Sequence, residues 1–298
     1  MGTRAERPGR TAPFSVVIPA HDEERVIGRC LAAILDGAPL DGLPEIVVVA
    51  NGCSDSTAHR AREAAPGARV IELATASKHE ALNRGNEVAR AVPRLFVDAD
   101  VECSYASLAA TAEVLARGGA MAASPAMRLD LARCDRWVRA YYRVWMTQPY
   151  VTDNLIGGGV YGLSKAGLER VGRFPPVIGD DVFVRTRFAS TERCNLARDA
   201  SGRAIGVTVI PPATAIDQIR VEARRRVGSD QVRLHYPGEH NAGRINRAGD
   251  LSRARKHGAT IGDVVIYLAM KSAARALAGW NRLAGRGQSW TRDESSRG

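Results

Sequence analysis

The 298-residue chain has no apolar run near the ~18 residues a membrane-spanning helix needs. Its best stretch, Val264 to Met270, is seven residues long and lies between Asp263 and Lys271. The opening residues, MGTRAERPGRTAP, carry charge but no apolar core, so they do not read as a secretory signal. Glu6 stands where a myristoylation pattern needs Ser or Thr. Cysteine is sparse. Cys30, Cys53, Cys103, Cys134 and Cys194 are odd in number and no two form C-x-x-C. That excludes a disulfide framework and a zinc ribbon, and points to a reducing, cytoplasmic setting. Aromatics are only 5% of the chain, too few in its basic part to stack nucleic-acid bases, so nucleic acid is not an expected partner. The dinucleotide fingerprint G-x-G-x-x-G is also missing. Gly157-Gly158-Gly159 has neither its spacing nor its place after a first strand.

What is present is an ordinary globular composition, 45% hydrophobic and 25% charged, with length for one large domain or two small ones. The net charge of +10 is unevenly placed. From Gln218 onward there are 16 Lys/Arg against 7 Asp/Glu, while the earlier residues are nearly balanced. Such a basic region suits phosphates or an anionic membrane surface, or simply keeps a tail soluble.

Residues 14–19, 45–50, 69–73 and 94–98 are short, apolar and rich in Val and Ile. They predict buried parallel strands, which show continuous apolar runs rather than alternation. Helical patterns lie between them over 23–35, 56–65 and 79–91, with Ser54 and Ser77 near their starts as candidate caps. Repeated strand–helix–strand units predict an α/β fold with a doubly wound, mostly parallel sheet. Ligands of such sheets sit beyond the carboxyl ends of the strands. Those ends carry His21-Asp22-Glu23-Glu24, Asn51-Gly52-Cys53-Ser54-Asp55, Ser77-Lys78 and Asp98-Ala99-Asp100. The set is acidic with one Lys, as a hydroxyl-rich ligand, a metal and phosphates require.

Asp98 and Asp100 are paired hard-oxygen donors suited to Mg²⁺ or Mn²⁺, although the same pattern also caps turns. Asp180 and Asp181 can cap a helix, or one of them can take a proton from a substrate hydroxyl. Arg224-Arg225-Arg226 offers planar donor forks to phosphate, or lies on a solvated helix face. Residues 261–283 are amphipathic, with Ile261, Val265, Leu268, Ser272, Ala276, Trp280 and Leu283 on one face and Lys271, Arg275, Arg282 and Arg286 along its edge. That face suits a membrane interface or the protein's own core. Trp137, Tyr141, Tyr142, Trp145 and Tyr150 cluster in one segment, able to stack on a sugar, cover a lipid, or pack a helix on the sheet.

The order SVVIPAHDEE, EIVVVANGCSDST, SKHEALNRG, LFVDAD, GGGVYGLSKAGLERVGRFP, GDD and RRRVGSDQ resembles the family 2 glycosyltransferases of the GT-A fold, over about residues 14–235. The resemblance implies a nucleotide-diphosphate sugar donor, favouring UDP, and inverting transfer to an acceptor hydroxyl. It implies that Pro19, Ala20 and Glu23 line the nucleotide site. Asn51 stands where the family usually has an Asp contacting the base. Lys78 is implied near the diphosphate, Asp98 on the ribose side, and Asp100 with Asp98 at a Mn²⁺ or Mg²⁺ ion. Gly158 and Gly159 are implied to border the acceptor, and Asp181 to be the base beside Asp180. Arg225, Arg226 and Gln231 are implied in a mobile segment closing over the donor. The Q-x-x-R-W motif of processive members is missing, so single addition is expected. The expected organisation is a flexible tail over 1–13, a catalytic domain over 14–235 and a basic C-terminal extension over 236–298. The acceptor stays open among a glycan, a lipid-linked molecule and a small molecule. A non-catalytic sugar-nucleotide-binding or scaffold protein on this fold is the alternative, and a sugar nucleotidyltransferase a more distant one.

Overall fold

The computed structural model describes residues 13–238, 240 and 248–284. The expected N-terminal tail before Pro13, and residues 285–298 with Arg286, lie outside the described residues. The chain alternates strands and helices through β1 (Ser15–Ala20), α1 (Ile27–Leu35), β2 (Glu45–Asn51), α2 (Thr57–Ala64), β3 (Arg69–Leu73), α3 (Lys78–Val88), β4 (Arg94–Val97) and α4 (Tyr105–Ala116). It continues through β5 (Ala122–Pro125), β6 (Met127–Leu129), α5 (Arg136–Trp145), α6 (Pro149–Thr152), β7 (Val160–Leu163), α7 (Lys165–Val171) and α8 (Asp180–Arg185). The last elements are β8 (Arg193–Leu196), β9 (Val207–Val209), α9 (Ala215–His235), α10 (Ala248–Lys256) and α11 (Ile261–Leu283).

Seven strands form one sheet in the order β3-β2-β1-β4-β7-β5-β8. All its pairs are parallel except those of β7, which runs antiparallel to both β4 and β5. This is the doubly wound, mostly parallel sheet expected, and β6 and β9 add a separate two-stranded ribbon. The Val/Ile runs fit because both faces of the sheet are covered. Val16 and Ile18 pack with Ile27, Leu31 and Leu108 on one side. Val17, Val47 and Val49 pack with Leu82, Phe96 and Phe183 on the other.

Local chemistry shifts some boundaries. The first helix begins at Ile27 rather than 23, because the amides of Glu23 and Glu24 donate to Thr57 Oγ1 (2.6 Å) and Asp55 Oδ2 (3.2 Å). Ser77 caps α3 as expected, accepting from the Glu80 amide. Ser54 does not cap α2. Its amide and hydroxyl donate to Asp22 Oδ1 instead.

The aromatic segment does not pack on the sheet. Tyr141, Tyr142 and Trp145 of α5 form a third core with Tyr267 and Met270 of α11. Helices α5, α9 and α11 thus make a layer beside the sheet. Tyr141 sits fully buried at its centre, its ring 5.2 Å from that of Tyr267. Helix α11 has the predicted span, but it packs through the face opposite the one its large apolar residues suggest. Asp263, Tyr267, Met270, Ala274 and Ala278 are buried, while Ile261, Val265, Leu268, Trp280 and Leu283 are exposed. Among the described residues, no helix is long and apolar enough to cross a membrane.

The start of α11 is fixed by one carboxylate. Asp263 accepts from Arg143 Nη2 of α5 at 2.7 Å and from the Thr260 amide at 2.9 Å, while its own amide donates to Thr260 Oγ1. The Arg143 hydrogen bond, first among the causes, pulls its carboxyl down to about 2. Replacing Asp263 with Ala removes the cap and leaves Arg143 without its partner, a loss of about 1–3 kcal/mol in a urea titration. Because the folded pKa is depressed, the ionised carboxylate stabilises fully above its unfolded value near ~4, and this contribution fades as pH falls toward 2. The gap between wild type and Asp263→Ala therefore stays constant above about pH 5 and closes toward pH 2.

Candidate active site

The polar strand ends converge on one cleft of about 1760 Å³. Lys78, the first residue of α3, stands between two carboxylates. Its Nζ lies 2.7 Å from Asp98 Oδ1 at the end of β4 and 3.0 Å from Asp180 Oδ1 at the start of α8. The other oxygen of Asp180 accepts from Tyr161 Oη of β7 at 3.0 Å. Burial alone would lower the Lys78 pKa, but the charges of Asp180 and Asp98 overcome it and hold the ammonium protonated. Desolvation raises the Asp98 carboxyl to about 6, with Lys78 opposing the rise and Asp180 and Asp100 adding to it.

Asp180 and Asp181 are adjacent yet differently placed. Both oxygens of Asp180 are engaged, one by Lys78 and one by Tyr161. Asp181 uses Oδ1 to accept from the Val182 amide at 2.8 Å. Among the described residues, its Oδ2 takes no hydrogen bond. A Cβ added to Gly157 would come within 3.0 Å of that oxygen, so the loop backbone passes close beside it. Desolvation, then the charge of Asp180, raises the Asp181 pKa, with Arg185 and Lys78 pulling the other way. Gly157, Gly158 and Gly159 have φ of 149°, 76° and 76°. A Cβ at Gly159 would also meet Val101 Cγ2 at 2.5 Å, so the turn beside Asp98 requires glycine.

Of the residues singled out in the sequence, Pro19, Glu23, Lys78, Asp98, Asp100, Gly158, Gly159, Asp180, Asp181, Arg225, Arg226 and Gln231 all line this cleft. Ala20 and Asn51 do not. Asn51 has no exposed surface to offer a base. Its Nδ2 donates to the Ala20 carbonyl at 2.8 Å and its Oδ1 accepts from the Ser77 amide at 2.8 Å. It joins the end of β1 to the start of α3 and so positions Lys78. Arg225, Arg226 and Gln231 lie on the 21-residue helix α9. Lys271 of α11 meets Glu222 at 2.5 Å, and Arg282 of α11 pairs with Asp230, so α9 is joined to α11 at two points. Arg225 Nη1 donates to Glu222 Oε1 at 3.1 Å, and Gln231 Oε1 accepts from the Ile178 amide at 3.0 Å just before the Asp180–Asp181 turn.

Two cleft residues, Tyr161 and Arg185, escaped the sequence reading. Tyr161 hides in an apolar strand. Arg185 follows Asp181 by four positions, one helical turn, and its guanidinium lies 5.9 Å from the Tyr150 ring centre. His21 holds Nδ1 2.7 Å from the Asn51 carbonyl.

Asp98 and Asp100 fit a divalent cation. They are hard-oxygen donors on the cleft wall, and the charge of Asp100 already pushes the Asp98 pKa upward, a repulsion such an ion would relieve. His21, Asp22 and Cys53 also place ligand atoms within 4.8 Å of one another. That set mixes imidazole with a thiol whose pKa is raised by burial, which suits Mg²⁺ or Mn²⁺ poorly.

Residues 15–165, just over half of the chain, match the Glycosyl transferase family 2. The chain belongs to this family. No curated protein matches it. Among solved structures it is similar to a mannosyltransferase from Pyrobaculum calidifontis in complex with GDP-Man and Mn²⁺, at 20% identity and a TM-score of 0.58 over 96% of this chain and 88% of that one. It is also similar to glucosyl-3-phosphoglycerate synthase from Mycobacterium tuberculosis, at 22% identity and a TM-score of 0.47 over 64% of this chain and 73% of that one. The sheet and its flanking helices are thus a GT-A-like fold carrying C-terminal helices.

The role of Asn51 in this family 2 member is checked by stability. Asn51→Asp sets a carboxylate oxygen against the Ala20 carbonyl, where the amide now donates. A loss of about 2–3 kcal/mol in chemical denaturation is expected from the buried mismatch.

Proposed function

We propose that the protein transfers a sugar from a nucleotide-diphosphate donor to an acceptor hydroxyl, with inversion and one addition per acceptor. One observation carries this reading: the division between two adjacent carboxylates. Asp180, engaged by Lys78 and Tyr161, acts as a fixed anchor. Asp181, with Oδ2 open to the cleft and a raised pKa, serves as the general base that takes the hydroxyl proton while the oxygen attacks the anomeric carbon. Asp100 and Asp98 would hold Mn²⁺ or Mg²⁺, which would supply positive charge for the departing diphosphate. Arg225 and Arg226 face the same cleft from α9 and would stabilise that developing charge further. Pro19 and Glu23 would border the nucleotide, and Gly158 and Gly159 the acceptor.

In this reading residues 14–235 form the catalytic unit and 236–298 an extension that buttresses α9. The five cysteines are all free thiols, which suits the reducing cytoplasm. A UDP-sugar is the first donor to test. The similar mannosyltransferase was captured with GDP-Man and Mn²⁺, so GDP-sugars belong beside it.

The test is a thermal-shift panel of UDP-, GDP- and dTDP-sugars with and without Mn²⁺ or Mg²⁺, followed by turnover of the donor that binds. A donor at ~100 times its Kd adds about 2.7 kcal/mol of stability. Asp181→Asn should keep the donor-induced shift and lower kcat by about 10²–10⁴-fold. Asp100→Ala should lose the metal-dependent part of the shift. Near-normal turnover by Asp181→Asn overturns the base assignment. Donor binding without turnover across glycan, lipid-linked and small-molecule acceptors supports a non-catalytic binding protein instead.

A further inference from the structure

Helix α11 is apolar on two opposite faces. Tyr267, Met270, Ala274 and Ala278 are buried against α5 and α9. On the far side Ile261, Val265, Leu268, Trp280 and Leu283 recur at helical spacing, and four of the five are more than half exposed. The helix is 23 residues long, so this face extends about 34 Å. A run of large exposed apolar residues of this length marks an interaction surface rather than scattered exposure.

Charge selects the occupant. The residues from 248 to 284 hold six Lys/Arg and two Asp. Asp263 is buried under Arg143, away from the apolar face. Lys271 and Arg282 are neutralised by Glu222 and Asp230 on α9. Arg253, Arg255 and Lys256 at the end of α10, and Arg275 in mid-α11, form no ion pair among the described residues, and all four are exposed. Cations therefore stand at one end and along one edge of the apolar face. A second copy of the chain would bring like charges together. Nucleic acid would leave the apolar side chains in water. A bilayer with anionic headgroups satisfies both features, since its acyl boundary takes the apolar side chains and its headgroups take the cations.

The same helix is a wall of the cleft. Leu268, Lys271, Ser272 and Arg275 line it together with Asp98 and Asp181.

We infer that the exposed face of α11 docks on an anionic membrane surface and sets the α11 end of the cleft against the lipid headgroups. The surface stands without the glycosyl-transfer reading. Only its consequence, that the acceptor hydroxyl is carried on a lipid, rests on that reading.

The experiment is co-sedimentation of the full chain with phosphatidylglycerol–phosphatidylcholine vesicles and with pure phosphatidylcholine vesicles, following Trp280 fluorescence in parallel with Trp280→Phe as the control. Binding to the anionic vesicles, weakened by salt and by omission of phosphatidylglycerol, with a blue-shifted Trp280 signal, is expected. The double variant Val265→Glu with Leu283→Glu changes exposed positions that contact neither core nor cleft. It should keep its circular dichroism and its donor-induced thermal shift while its vesicle partition falls at least about tenfold. Arg253→Glu with Arg255→Glu should lower the partition on anionic vesicles and leave any neutral-vesicle binding unchanged. Three results overturn the inference: no binding to anionic vesicles, equal binding by the Glu variant, or a dimer in light scattering that this variant abolishes. Because the partition needs no turnover, vesicle binding by a catalytically silent protein sinks only the transfer reading. Turnover on a soluble acceptor without vesicle binding sinks only this one.

Discussion

The site depends on one buried ammonium. Lys78 joins the end of β4 to the start of α8 by standing between Asp98 and Asp180, two carboxylates whose charges would otherwise drive those elements apart. Its place is set in turn by the backbone before it. The Ser77 amide donates to Asn51 Oδ1, Ser77 caps α3, and Asn51 reaches back to the Ala20 carbonyl at the end of β1. Three strand ends and two helix starts are thereby coupled through side chains at and beneath the floor of the cleft. With Asp180 held from both sides, Asp181 is left as the carboxylate that faces the open space.

A second set of ion pairs repeats this logic along the cleft wall. Glu222 is nearly inaccessible, and burial alone would raise its pKa, yet Lys271 and Arg225 hold its carboxyl below the usual range. Removing both partners would leave a buried charge uncompensated, and Lys271 is the one that joins α9 to α11. The arginines of α9 therefore approach the cleft from a helix paired with α11.

The fold was legible because strand runs such as Val16–Ile18 and Ile46–Val49 are continuous, and only a sheet covered on both faces makes that pattern. The acidic residues were legible for a related reason: Asp98 and Asp100 follow an apolar strand directly, so their position is fixed by the sheet. Asn51 was not. Its residue type says that it can donate and accept, but only the tertiary structure shows both ends engaged by backbone. The pairing of α9 with α11 was equally hidden, since Lys271 and Arg282 lie some 50 residues beyond their partners in the chain. Helix α11 misled for a physical reason. Periodicity weights large side chains, and the buried face is built partly from Ala274 and Ala278, small residues that let α9 approach closely.

The charges of the cleft are arranged in two layers, and this constrains any donor. The floor is acidic, with Asp98, Asp100, Asp180 and Asp181 offset by Lys78, which two of them already hold, and by Arg185 beside Asp181. The α9 wall is basic, but Arg225 is paired with Glu222 and Arg226 lies 3.9 Å from Asp230. A diphosphate lowered onto this floor meets repulsion that the paired arginines offset only in part. Desolvation first, and then the charges of Asp180 and Asp100, push the Asp98 carboxyl upward against the pull of Lys78. A divalent cation at Asp98 and Asp100, as proposed above, would offset that repulsion. The acidic floor thus supports the proposed cation on the chemistry of this chain's own residues.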